Sequence, residues 1–131
     1  MESINWLAVL VAAVSTFILG GLWYGPLFGR LWMRVTGITE AQANQANMAK
    51  VFGLSFVLEF IAAAVLAMFI GADATVAFAT FAGFAVGLFW VGAALGVLYL
   101  FEQRPFAHWA VNAGYHTVAF TVMGAILGAW P

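Results

Sequence analysis

A single carboxylate lies within one of the most apolar parts of this sequence. Glu59 is near the middle of the run from 51 to 70, which contains no other formal charge. In a later apolar run, His108, Asn112 and His116 recur at every fourth position and therefore share one face of a helix. A carboxylate and an imidazole that meet inside a membrane can exchange a proton near neutral pH or form a fixed pair. These residues are therefore the first candidates for chemistry.

The depths of these residues predict which of them meet. If both helices start at the same membrane surface, about eight residues lead to Glu59 and about ten lead to His116, a difference of about 3 Å along the helix axis. Ser55 and Asn112 match in the same way one turn nearer that surface. The sequence therefore predicts a contact between Glu59 and His116 above a layer formed by Ser55 and Asn112, provided that their helices are neighbours.

Two interpretations of this buried pair remain open. A relay would pass protons or cations through the bilayer, whereas polar contacts would hold two helices in register at about 0.6–2 kcal/mol per hydrogen bond. We favour the structural interpretation, because the predicted spans contain no second charge. Tyr115 lies next to His116 at mid-membrane depth and also needs a hydrogen-bond partner. It therefore belongs to the same candidate site.

A metal site or an enzyme active site has less support. Zinc needs at least three protein ligands, and the Glu and His of this pair supply two. The chain has no cysteine, and its intramembrane hydroxyl groups lie in apolar helices, where they usually bond to the preceding turn. We therefore expect neither a cofactor nor enzymatic activity.

The composition requires a lipid environment around these residues. Of the 131 residues, 66% are apolar and 7% are charged, whereas soluble domains are about 45–50% apolar and about 25% charged. A net charge of −1 with four basic residues also offers no surface for nucleic acid. The sequence therefore excludes a soluble domain and predicts a single integral membrane domain over residues 1–131.

Four apolar segments are long enough to cross a bilayer, which requires roughly 20 residues per helix. We predict these spans at residues 6–24, 51–70, 75–101 and 106–130. Pro26 is expected to end the first helix, and Pro105 suits the first turn of the fourth. The predicted fold is an all-α bundle of four transmembrane helices.

The connection between the first two spans is predicted to lie partly along the inner leaflet. Residues 28–35 mix aromatic side chains with Arg30 and Arg34, a pattern typical of backbone at the lipid headgroups. Residues 39–42 have the form of a capping box, and neither glycine nor proline follows until Gly53. We therefore predict that the second helix begins near Glu40 and projects from the membrane.

The basic residues predict the orientation. Arg30, Arg34 and Lys50 lie between the first two spans, and Arg104 lies between the last two. Because Lys and Arg are enriched in cytoplasmic loops, both termini are expected outside the cytoplasm.

Pairs of glycines one turn apart predict close helix packing in the third and fourth spans. Such pairs let neighbouring backbones approach where no hydrophobic effect drives helices together. They could form a seam with another protein, but we favour packing within the bundle. The pairs are Gly83 and Gly87, Gly92 and Gly96, and Gly124 and Gly128.

Several motifs extend over nearly the whole chain: NWLAV at 5–9, GLWYGPLFG at 21–29, Glu102-x-Arg104-Pro105, NAGYH at 112–116 and MGAILG at 123–128. With these motifs the chain resembles a bacterial membrane-protein family known as domain-of-unknown-function family seventeen-sixty-one. The resemblance implies a small four-helix protein of the bacterial inner membrane and brings no activity, cofactor or catalytic residue. In the predicted topology, Glu102 and Arg104 can pair at the inner turn before Pro105.

Two classes of function fit these features. In the first, which we favour from the sequence, a non-enzymatic protein acts by assembly, as a homo-oligomer or an accessory subunit, with membrane lipids and itself or another membrane protein as partners. In the second, a small proton- or cation-coupled transporter uses Glu59 and His116. A membrane enzyme or a lipid- or quinone-binding protein has only the basic stretch and the aromatic residues in its favour. Hydration separates the first two classes, because only a conduit needs water at Glu59.

Overall fold

The computed structural model describes residues 4–45 and 47–130, and its secondary structure is helical. Four helices are long and apolar enough to cross a membrane: Trp6–Leu27, Met48–Ile70, Val76–Phe101 and Phe106–Ala129. The predicted all-α class with four spans is therefore confirmed.

Segments of π-helix occur within the first and third spans, and two short helices lie between the first and second spans. The first span consists of α1, Trp6–Leu22, and a π-helical turn, Trp23–Leu27. The helices α2, Gly29–Thr36, and α3, Glu40–Gln45, lead to α4, Met48–Ile70. The third span consists of α5, Val76–Ala85, a π-helical segment, Val86–Gly92, and α6, Ala93–Phe101, and the fourth is α7, Phe106–Ala129.

Pro26 does not end the first helix, as the sequence predicted, but lies inside its final π-helical turn. Proline has no N–H group and disrupts the usual hydrogen bonding of an α-helix. In the wider π-helical turn, the N–H group of Phe28 donates to the carbonyl group of Trp23 at 2.8 Å. The chain then turns sharply, and a Cβ atom at Gly29 would lie 2.5 Å from the Tyr24 carbonyl oxygen.

The capping box forms at the start of α3. The N–H group of Gln42 donates to the Thr39 hydroxyl oxygen at 3.1 Å, and the N–H group of Thr39 donates to the Gln42 side-chain oxygen at 2.8 Å. These reciprocal bonds satisfy two backbone donors that the helix itself leaves free.

The second span nevertheless does not run unbroken from this box, so the prediction of one helix from Glu40 was wrong. Asn47 has extended backbone, with φ −75° and ψ 95°, and its side chain accepts a hydrogen bond from the Lys50 N–H group at 3.1 Å. Asparagine competes for backbone donors in this way and favours helix starts over helix interiors. Part of the predicted helix, Ala46, lies outside the described residues.

Helix α7 is the centre of the bundle. It packs most extensively against α5 and the π-helical segment that follows, and next against α1. Helix α4 packs mainly against α1 and has smaller contacts with α7 and α5. The second and fourth spans, which the sequence predicted to be neighbours, therefore share only a small contact. The residues on α4 find most of their contacts on α1.

The two ends of the bundle differ in character. The basic end contains the connections that bear Arg30, Arg34, Lys50 and Arg104, whereas α1 begins and α7 ends at the opposite, terminal end. The half nearer the terminal end contains a buried apolar cluster, which we call the terminal core. It comprises Ala8, Val9, Ala12, Ala63, Leu66, Met123 and Leu127.

Two glycine pairs, one in the third span and one in α7, lie at the interface between these two spans inside the bundle. A Cβ atom at Gly83 would overlap the Phe120 carbonyl oxygen, and one at Gly124 would overlap the Ala79 carbonyl oxygen. A Cβ atom at Gly87 would lie 2.7 Å from the His116 carbonyl oxygen. These glycines therefore allow close packing within the chain.

The remaining three predicted packing glycines also contact this chain. A Cβ atom at Gly128 would lie 2.6 Å from the Ala79 Cβ atom. Gly92 and Gly96 lie near side chains of α7, those of Ala113 and Trp109, with corresponding distances of 3.6 and 3.2 Å. The packing interpretation thus accounts for all three pairs without a second copy.

Candidate functional site

The π-helical turn after α1 directs two aromatic side chains at α7. The indole N–H group of Trp23 donates to the Val111 carbonyl oxygen at 2.9 Å, and the Tyr24 hydroxyl donates to the Asn112 side-chain oxygen at 2.8 Å. The amide nitrogen of Asn112 in turn donates to the Tyr99 hydroxyl at 2.9 Å. Asn112 therefore connects the first, third and fourth spans.

His108 lies one turn nearer the basic end. Its ring centroid is 4.5 Å from that of Tyr99, and only 7% of the residue is exposed. Its Nδ1 atom is buried and has no hydrogen-bond partner within the described part of the chain. The aromatic contact with Tyr99 thus links His108 to the Asn112 network.

The inner turn before α7 contains the charge pair that the sequence predicted. The Arg104 Nε atom donates to the Glu102 carboxylate at 3.0 Å, and both side chains are exposed. Gln103 between them has a φ of 57°, which produces the tight turn, and Pro105 directly precedes α7. Exposed pairs of this kind contribute little stability, at most about 1 kcal/mol.

Thr16 on α1 is the meeting point of α4 and α7 at mid-membrane depth. Its carbonyl oxygen accepts a hydrogen bond from the Tyr115 hydroxyl at 2.9 Å, and its own hydroxyl donates to the Ala13 carbonyl oxygen at 2.7 Å. The Glu59 side chain lies beside the Thr16 hydroxyl and near the Tyr115 phenol. Glu59 therefore faces the bundle, and its polar neighbours come from the first and fourth spans.

The Thr16 hydroxyl can form a hydrogen bond with Glu59 in either protonation state of its carboxyl group. In its present orientation it can accept a hydrogen bond from a protonated carboxyl group. After rotation about its C–O bond it can instead donate to an ionised one. Both states of Glu59 thus have a hydrogen-bonding partner without a change in the backbone.

The structure does not bring Glu59 and His116 together. Among the described residues, no hydrogen bond or ion pair joins them, and the His116 ring instead contacts the Tyr115 ring, with 5.0 Å between centroids. The predicted Ser55–Asn112 layer is also not formed, because the Asn112 side chain bonds to two tyrosines. The physical reason is that α4 packs mainly against α1, so its polar side chains do not face the His116 side of α7.

An open cavity of about 610 Å³ separates parts of α1 and α4. It extends from mid-membrane depth toward the basic end, and the terminal core occupies the other half of the bundle. Its wall combines hydroxyl and carboxyl groups with aromatic rings and bare glycine backbone. The lining residues are Thr16, Phe17, Gly20, Gly21, Tyr24, Gly25, Val51, Phe52, Ser55, Glu59 and Tyr115.

Three of the five residues predicted for the buried site, Glu59, Ser55 and Tyr115, line this cavity. The site predicted from the sequence did not include Thr16 and Tyr24, since the intramembrane hydroxyl groups were expected to bond to the preceding turn and Tyr24 was given no role. Thr16 lies near the middle of the first span, so the depth argument that selected Glu59 could also have selected it. Nothing comparable in the sequence marks Tyr24.

Comparison with known proteins gives one result. A protein-family model with the description "Protein of unknown function (DUF1761)" matches residues 7–128. Neither the curated proteins nor the solved structures gave a significant match. The matched segment extends from α1 to α7 and includes every residue of the candidate site.

Proposed function

This chain belongs to DUF1761, a family of proteins of unknown function, and we propose that it is a small proton- or cation-coupled conduit without enzymatic activity. One observation carries the proposal: Glu59, the only acidic residue in the four spans, lines an open intramembrane cavity. An acidic side chain at this depth costs several kcal/mol, on the order of 3 kcal/mol on insertion scales, and commonly marks an ion pathway. A purely structural helix contact would not need a cavity beside it.

The surroundings of Glu59 support reversible binding of a positive charge. The Thr16 hydroxyl can bond to the carboxyl group in either protonation state, as described above. None of the residues that line the cavity is basic, so no described residue of its wall forms a fixed ion pair with the carboxylate. A proton or another cation can therefore neutralise Glu59 and leave again.

The shape of the site favours a carrier over a pore. The cavity occupies the half of the bundle toward the basic end, while the terminal core contains fully buried residues such as Val9, Ala12 and Ala63. Transport then requires a second conformation in which the terminal core opens. The π-helical turn at Trp23–Leu27 adjoins the cavity, and such turns are frequent at functional sites.

Reconstituted vesicles test this function. A pH-sensitive dye is trapped inside vesicles that contain the full chain, and a membrane potential, a sodium gradient and a tetramethylammonium gradient are imposed in turn. At least one of these should change the internal pH faster than in vesicles without protein. If none of them does, the proposal is wrong.

Assembly remains a second candidate, with one observation in its favour. Helix α4 packs chiefly along α1 and leaves large apolar side chains such as Phe52, Leu58 and Phe69 exposed. The glycine pairs no longer support it, since they pack within the chain. Native mass spectrometry from mild detergent would favour assembly if it showed a defined multiple of the chain or a stoichiometric partner, and would disfavour it if it showed single copies.

We further propose that both termini lie outside the cytoplasm of a bacterial inner membrane. Support comes from the four basic residues, which all belong to the basic end. A reporter that is active only in the cytoplasm should be inactive when fused after Pro131 and active when fused after Arg104 in the inner turn. The opposite pattern would reverse the orientation.

A further inference from the structure

We propose that the Glu59 cavity binds a lipophilic organic cation, which enters sideways between α1 and α4. This inference deepens the proposed function, because it names the chemical class of the cation that is carried. It rests on the proposed function for transport, but binding itself can be measured separately. Size, charge and wall chemistry each support it.

The size of the cavity suits an organic molecule. Its volume of about 610 Å³ falls within the range of roughly 300–1,000 Å³ that is usual for small-molecule sites. A bare metal ion would need a cage of several oxygen ligands, about six for magnesium or calcium. The described residues contain no cluster of three or more His, Asp or Glu side chains that could provide such a cage.

The charge of the cavity selects a cation. Glu59 is the only charged residue in its lining, and the neighbouring Thr16 and Tyr115 are polar and neutral. A carboxylate in a low-dielectric wall without a basic partner attracts a positive charge strongly. A proton and an organic cation therefore compete for the same group, which would couple their movements.

The walls of the cavity suit a cation with an apolar body. The rings of Tyr24 and Tyr115 are 5.3 Å apart between centroids, and those of Phe17 and Phe52 are 6.1 Å apart. Aromatic faces attract organic cations by about 0.5–2 kcal/mol each, and they also bury apolar substituents. These two ring pairs supply apolar contacts that a hydrated inorganic ion cannot use.

Bare backbone of the first span provides room for such a molecule. A Cβ atom added at Gly21 would meet no atom within 4 Å, and the same holds at Gly25. Both glycines line the cavity and are exposed. They leave space beside the aromatic rings on the side from which a membrane-dissolved cation arrives.

Tetraphenylphosphonium binding to the purified full chain in mild detergent tests the inference. Isothermal titration calorimetry should show saturable binding of one cation per chain, and the affinity should fall as the medium is acidified, because protons compete for Glu59. Glu59→Gln should weaken binding at least about tenfold, as expected for loss of a charge in a desolvated site. Glu102→Gln makes the same chemical change in the exposed inner turn and should bind as the wild type does.

A pair of glycine variants tests the location without altering any charge. Gly21→Leu fills part of the cavity and should weaken tetraphenylphosphonium binding. Gly53→Leu adds the same side chain at a position that also has no atom within 4 Å of its Cβ and that does not line the cavity, so it should leave binding unchanged. Triphenylphosphine oxide, a neutral aromatic probe, should not compete.

Any of these binding results would overturn the inference: no saturable binding by the wild type, equal binding by Glu59→Gln, or equal binding by Gly21→Leu. Strong competition by the neutral probe would also overturn it, since the cavity would then recognise apolar surface alone. Tetraphenylphosphonium binding without any ion-driven pH change in vesicles would support the inference and contradict the proposed function. An ion-driven pH change without tetraphenylphosphonium binding would support the proposed function and contradict the inference.

Discussion

Vesicles that contain the Glu59→Gln protein are expected to show no more ion-driven pH change than vesicles without protein. Glutamine has nearly the same shape as glutamic acid and can still hydrogen-bond to Thr16, but it cannot bind and release a proton or neutralise a cation. Because Glu59 is the only acidic residue in the four spans, no other carboxylate of the membrane interior can replace it. The measurement is the initial rate reported by the trapped dye.

Stability measurements separate this effect from misfolding. Glu59→Gln should match the wild type in helical content and in its elution from a size-exclusion column, whereas Glu59→Leu should be less stable because it removes the polar contact between residue 59 and the Thr16 hydroxyl. Glu102→Gln should keep the full rate. A rate for Glu59→Gln equal to that of the wild type would show that Glu59 is structural.

Gly124→Leu is expected to abolish the native packing of α7 against α5. The Cβ atom alone would overlap the Ala79 carbonyl oxygen, and the backbone of α5 cannot move aside as a flexible side chain would. Overpacking of a tight interior costs about 1–3 kcal/mol and occasionally more, and here the obstacle is backbone. We expect a loss of at least about 3 kcal/mol, measured by denaturant titration in detergent micelles with tryptophan fluorescence.

Gly53→Leu is the matched control, since its added side chain meets open space on α4. It should unfold at nearly the same denaturant concentration as the wild type. If Gly124→Leu also did so, the two helices would not approach as closely as described, and the glycine pairs would regain a possible role in contacts between proteins.

The fold class could be predicted from the sequence because the bilayer imposes a simple constraint on composition and length. Continuous apolar runs of sufficient length must be helices in lipid, where every backbone polar group needs an internal partner. The two local errors, at Pro26 and Asn47, both concern the position of a helix boundary. In each case the position of the boundary depends on alternative backbone hydrogen bonds of similar free energy. The residue types alone do not show which of these bonds forms.

The partners of Glu59 were harder to predict because they depend on which helices are neighbours. Hydropathy gives the depth of a residue but says nothing about the rotation of its helix or the helix beside it. The glycine pairs did contain part of this information. Gly87 packs on the backbone of His116, so the third span lies directly against α7 at this depth. Helix α4 packs mainly against α1, and Glu59 therefore lies beside Thr16 and not beside His116.

The most direct test of the central claim is the accessibility of the cavity to water. The chain has no cysteine, so single-cysteine variants can be labelled without background. Ser55→Cys replaces a residue that lines the cavity. Ala63→Cys replaces a fully buried residue of the terminal core, about 12 Å further along α4. In membrane vesicles of either orientation, a membrane-impermeant maleimide should label Ser55→Cys from the basic side only and should label Ala63→Cys from neither side. Failure to label Ser55→Cys from the basic side would mean that the region around Glu59 is dry, and it would contradict the account of this protein as a conduit.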